Sequence, residues 1–122
     1  MLRQWADYLV EVGFDPGEQF CTDDFSGTLG HNVNLSAKAI MGIACFAQLA
    51  AALGHHADAK RYRATAEAFA RVWLERARDG DGTRLAFNQP GTWSLKYNLV
   101  WDRLRAIQFC RSGLGVSGGG VT

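Results

Sequence analysis

Asn34-Leu35-Ser36-Ala37-Lys38-Ala39-Ile40-Met41-Gly42-Ile43-Ala44-Cys45-Phe46-Ala47-Gln48-Leu49-Ala50-Ala51-Ala52-Leu53 is the stretch that decides the fold. Leu35, Ala39, Ile43, Phe46, Ala50 and Leu53 recur at helical spacing on one face. Ile40, Ala44, Ala47 and Ala51 cover much of the rest. A helix apolar nearly all round belongs inside a protein, buried on several sides. Asn32 or Asn34 supplies an N-cap oxygen, and Gly54 ends the helix. The longest apolar run, Ala39 to Leu53, is broken by Gln48 and falls short of a bilayer's thickness, so no membrane span is expected.

Working outward, the next helix is predicted from about His56 to Arg78 and has a different character. Tyr62, Ala66, Phe69, Trp73 and Ala77 form an inward stripe. Arg63, Glu67, Arg71 and Glu75 alternate in sign at four-residue spacing, a solvent-facing ladder. This is an outer helix, joined to the inner one by the tight turn Leu53-Gly54-His55-His56, where the histidines serve the joint. Asp79-Gly80-Asp81-Gly82 and Arg84 read as turn chemistry, and Arg84-Leu85-Ala86-Phe87 as a short extended piece. A further helix is expected from Leu95 to Gln108, with Leu99, Val100, Leu104 and Ile107 on its apolar side.

Upstream, Leu2, Trp5, Leu9 and Val12 mark a short amphipathic helix stopped by Gly13. It starts almost at the first residue, which suggests a truncated domain. Asp15-Pro16-Gly17 is a turn signal. The irregular segment from Phe14 to Val33 is too long for a plain connection and mixes aromatics with acids, which points to function. Polar loops leading into alternating inner and outer helices give the fold class: all-α, antiparallel helical hairpins, a fragment of an (α/α)6 toroid.

Composition narrows the function classes. The chain has 122 residues, 48% of them hydrophobic and 20% charged, with a formal net charge of +1. That is room for one small domain, with no strong field toward nucleic acid or an anionic membrane. The three cysteines, Cys21, Cys45 and Cys110, have no zinc-type spacing, and no metal or cofactor is expected. Cys45 reads as a small buried hydrophobe. The start of the chain lacks a signal peptide's apolar run and cleavage site, leaving its localisation undetermined. Residues 111–122 read as a glycine-rich, disordered tail after a partial domain over residues 1–110; the run Gly118-Gly119-Gly120 lacks a phosphate-loop lysine.

Candidate chemistry gathers at two helix entrances. Asp23 and Asp24 are adjacent acids in an aromatic-flanked loop, suited to general acid or base work if one is shielded; the plainer alternative is turn capping. His31, Asn32 and Asn34 crowd the start of the buried helix, whose positive end and free N–H groups suit a substrate carboxylate. Lys38 lies one turn further on. Trp93, Lys96, Tyr97, Asn98, Trp101 and Asp102 form a second polar-aromatic cluster, with Asp102 as a second acid. In consecutive hairpins the two entrances would share one mouth.

Several of these stretches resemble a known family. Trp5-Ala6-Asp7-Tyr8-Leu9-Val10, Gly13-Phe14-Asp15-Pro16-Gly17, Cys21-Thr22-Asp23-Asp24-Phe25, His31 through Ile40, Pro90-Gly91-Thr92-Trp93-Ser94 and Lys96 through Asp102 resemble the six-hairpin central region of the glutaminase A family, over roughly Leu2 to Leu104. The resemblance implies a toroid related to six-hairpin glycosidases, in proteins that are typically secreted, hydrolysing glutamine to glutamate and ammonia. It carries over no catalytic assignment. After Leu104 the sequence departs from the family, as a frameshift or truncated gene product would.

The leading expectation is therefore a fragment of a glutaminase-type amidohydrolase, inactive alone because its pocket needs the missing helices of the parent domain. Asp23, Asp24 and Asp102 are its candidate acids; His31, Asn32, Asn34, Lys38, Trp93, Lys96, Tyr97, Asn98 and Trp101 are its candidate binding residues. A small molecule or a carbohydrate is the expected partner. One rival is a six-hairpin carbohydrate-active hydrolase, with Trp93, Tyr97 and Trp101 stacked on sugar rings. Another is a helical-repeat interaction module, which the lack of a second repeat disfavours.

Overall fold

The computed structural model of the chain describes residues 1–18, 30–93 and 99. Its helices are α1 (Leu2–Val12), α2 (Val33–Ala52) and α3 (His56–Ala77), followed by the two-residue strands β1 (Arg78–Asp79) and β2 (Gly82–Thr83). The all-α expectation holds, with this small antiparallel ribbon added: Arg78 faces Thr83 and Asp79 faces Gly82. Gly80, at φ 59°, makes the tight return. Expectations for the Leu95–Gln108 helix and the glycine-rich tail fall outside the described residues, except that Leu99 packs against the core.

Helices α2 and α3 form the antiparallel hairpin read from the sequence. Trp73, near the end of α3, donates its indole N–H to the Val33 carbonyl at the start of α2, 2.9 Å away. At the other half of the pair, the Phe46 and Tyr62 rings meet edge to face at 4.9 Å. Trp73, Tyr62, Ile40, Ile43 and Val33 are the largest apolar side chains wholly withdrawn from water. Each such burial stabilises the fold by roughly 1.5–3 kcal/mol before the entropy of ordering is subtracted. The inward stripe of α3 is Tyr62, Ala66, Ala70, Trp73 and Ala77, with Phe69 half-buried beside it. On the outer face, the Arg63–Glu67 pair of the expected ladder is made at 3.1 Å.

α2 buries eleven of its twenty residues, among them the polar Asn34 and Ser36. By length and composition it is long and apolar enough to cross a membrane, with mean hydropathy 1.5 over a window that is 50% buried in the fold. The expectation that it was too short counted only the apolar run from Ala39, which Gln48 interrupts; the helix itself starts six residues earlier. Its face toward α3 is that of a core helix.

α1 differs from its sequence reading. The stripe Leu2, Trp5 and Val12 is exposed, and only Ala6 is buried. Leu9 and Val10 rest partly buried against the core. Instead of a broad apolar seam, polar ties hold the helix to α3: Arg3 pairs with Asp58, and the Tyr62 hydroxyl donates to Asp7. Gly13 does end α1, yet with φ −77° rather than in the left-handed region. Its glycine is needed for space, since a Cβ there would stand 2.7 Å from both the Ala39 Cβ and the Leu9 carbonyl oxygen.

Candidate functional site

The start of α2 is laced into place by two loops. The loop after α1 supplies the Pro16 carbonyl, which accepts from the His31 N–H at 2.8 Å. The segment after β2 runs antiparallel to the residues before α2: Val33 N–H donates to Leu85 at 3.0 Å, Phe87 N–H donates to His31 at 3.0 Å, and Asn32 bridges Ala86. The stretch Arg84-Leu85-Ala86-Phe87, expected to be extended, does its pairing here. Thr92 locks that segment, accepting from Leu85 N–H at 3.0 Å and donating to the Gln89 carbonyl at 2.6 Å. Below the lacing, Phe14 stacks on Phe87 at 5.4 Å, and the Arg76 guanidinium lies 4.8 Å from the Phe87 ring centre.

Each described candidate has a definite place. Asn32 is 2% exposed, and its side-chain oxygen caps α2 by accepting from Leu35 N–H at 2.9 Å. Asn34 is buried in the first turn. His31 is exposed, adopts φ 57°, and sets its Nδ1 2.7 Å from the Asp15 carboxylate. Lys38 is also exposed and lines a groove of about 580 Å³ between α1 and α2, with Tyr8, Pro16, Leu35, Gly42 and Cys45. Trp93 is 73% exposed. So His31 and Asn32 stand just before α2, Asn34 in its first turn and Lys38 in its second. Asp23, Asp24, Lys96, Tyr97, Asn98, Trp101 and Asp102 lie outside the described residues.

One expectation about this entrance is corrected. Free N–H groups were expected at the helix start, ready for a carboxylate. Val33 N–H is taken by Leu85, Leu35 N–H by the Asn32 side chain, and Ser36 N–H by the Asn32 carbonyl. What the entrance offers an anion is the positive end of the helix and the Lys38 ammonium, rather than a row of unmet donors.

Sequence reasoning missed Asp15, which it took only as part of a turn. The pairing with His31 spans sixteen residues, and no local spacing announces it. The Ser36 hydroxyl is a further buried polar group, with no hydrogen-bond partner among the described residues. Among the described residues, no group of three or more His, Cys, Asp or Glu side chains converges as a metal site would require.

Taken together, these features define an all-α helical-hairpin protein whose buried polar residues among those described, Asn32, Asn34 and Ser36, lie where α2 begins. The chain belongs to the glutaminase A family: the model of the glutaminase A six helical-hairpin domain matches residues 1–113. A protein named "Probable glutaminase" from Arthroderma benhamiae is 34% identical over 104 residues, covering 84% of this chain and 12% of the relative. "Glutaminase A" from Aspergillus oryzae is 36% identical over 107 residues, covering 84% of this chain and 16% of the relative. The chain thus spans only a small part of the length of these relatives. No solved structure matches it.

Proposed function

We propose that this chain forms one wall of the active site of a glutaminase-type amidohydrolase, which converts glutamine and water to glutamate and ammonia. The observation that carries this reading is the placement of His31 and Asn32 just before α2, Asn34 in its first turn and Lys38 on the adjoining groove, in a chain of the glutaminase A family. Asp23 or Asp24, shortly before His31 in sequence, activates the attacking water, and Asp102 is the second acid. Lys38 and the positive end of α2 hold the substrate carboxylate. Trp93, Lys96, Tyr97, Asn98 and Trp101 complete the pocket from the next hairpin of an (α/α)6 toroid. The isolated chain is expected to be inactive, because the opposite wall belongs to the longer protein.

The test uses a graft in which this chain replaces the matched segment of the Aspergillus oryzae relative, assayed for ammonia release from glutamine. Asp23→Asn and Asp24→Asn should each be compared with the unmutated graft. Loss in one of them supports the assignment, and unchanged turnover in both removes these acids from the mechanism.

The exposed Trp93 favours a second reading, a carbohydrate-active hydrolase in which aromatic side chains stack on sugar rings. Offering the same graft glutamine and a panel of oligosaccharides separates the two.

A further inference from the structure

Three of the four described positive-φ positions, Gly54, Gly80 and Gly91, are glycine. The fourth is His31, at φ 57°. Glycine reaches this region without strain, whereas a side chain with a Cβ does not. A turn alone would be served better by glycine, so the imidazole itself needs explaining. The backbone on both sides is fixed: His31 N–H donates to Pro16 and its carbonyl accepts from Phe87. The strained conformation is therefore imposed by the lacing and directs the ring to one place.

In that place Nδ1 lies 2.7 Å from the Asp15 carboxylate. A carboxylate only accepts, so Nδ1 carries the hydrogen, and in the neutral ring Nε2 then holds the lone pair. The two side chains are 49% and 39% exposed. An ion pair or hydrogen bond that open to water adds little stability, so stability does not repay the strain. The position suits chemistry better: Pro16, whose carbonyl holds His31, also lines the groove that carries Lys38.

We infer that His31 and Asp15 form an acid–base dyad for carboxamide hydrolysis, which rests on the amidohydrolase reading above. Nε2, displacing Asp23 or Asp24 from the role of base given above, takes a proton from the attacking water as the water oxygen bonds to the amide carbon. The same proton then passes from Nε2 to the departing nitrogen as the carbon–nitrogen bond breaks, releasing ammonia and leaving the carboxylic acid, whose remaining proton goes to solvent. Asp15 is a positioning residue that fixes the tautomer, and Lys38 provides a cation for the substrate's own carboxylate.

Two measurements test this. In the full 122-residue chain, the ring ¹⁵N shifts of His31 should report hydrogen on Nδ1 and none on Nε2, and Asp15→Ala should return the ring to mixed tautomers. Hydrogen on Nε2 in the unmutated chain overturns the dyad. In the graft, His31→Gly keeps the backbone conformation, and kcat should fall by about 100-fold or more with KM little changed. Added imidazole should restore part of it. Turnover retained within about twofold, or a loss that imidazole does not relieve, overturns the inference. An inactive unmutated graft is instead the failure of the glutaminase reading, and the tautomer measurement then decides the dyad.

Discussion

The two ends of α2 both carry histidine, and they are built in opposite ways. At the entrance, His31 is strained, hydrogen-bonded through its ring, and pinned by backbone bonds to two different loops. Asn32 caps the helix beside it and Trp73 closes over Val33 from α3. At the joint, His55 and His56 are exposed, His55 provides no side-chain cap, Leu53 is 67% exposed, and Gly54 turns the chain without strain at φ 82°. A joint needs only to reverse the chain. The entrance is over-determined, as a site that must hold side chains in fixed positions should be.

Breaking the better-built end should cost most. Trp73→Ala removes a side chain that is 1% exposed together with its bond to Val33. A loss of about 3–5 kcal/mol is expected in urea unfolding, whereas Leu53→Ala at the joint should stay within about 0.5 kcal/mol. Similar costs at the two ends would dissolve the contrast. Next in size, Asn32→Ala should lose about 1 kcal/mol through its cap, and His55→Ala, which caps nothing, close to zero.

A smaller effect than the loss of the cap lies in the half of the hairpin nearer the joint. Burial, then the hydrogen bond to Asp7 and repulsion from its carboxylate, raise the Tyr62 phenol above its ordinary value of 10.0. A raised folded-state value means the neutral phenol is favoured in the native protein. That contribution is complete below about pH 10 and is lost as pH rises through the folded value. Urea midpoints of the unmutated chain should therefore fall more steeply above about pH 10 than those of Tyr62→Phe. Parallel curves would remove Tyr62 from the account.

The contrast also separates what could be read in the residues from what could not. The α2–α3 hairpin was legible because Ile40, Ile43, Tyr62 and Trp73 repeat at a period that only a buried helix pair satisfies. The cap was narrowed to Asn32 or Asn34 for the same local reason, and the structure gives it to Asn32. The packing of α1 was not: its apolar spacing at Leu2, Trp5 and Val12 is helical, but spacing does not say which face finds a partner. Here Ala6 and the ties to Asp58 and Tyr62 fix it. Nor was the entrance fully legible. His31, Asn32, Asn34 and Lys38 were evident from their crowding before an apolar helix, while Asp15 joins them through a tertiary contact. The engaged N–H groups at Val33 and Leu35 likewise depend on strand-like pairing with Leu85 and on the cap.

The central claim is that the entrance of α2, and not its joint, carries the chemistry. It is tested most directly by ammonia release from glutamine in the graft, comparing His31→Asn with the double variant His55→Asn, His56→Asn. Asparagine tolerates the left-handed backbone of His31. The account predicts that His31→Asn loses turnover by about 100-fold while the double variant keeps it. Equal turnover in the two, or loss confined to the joint variant, would contradict it.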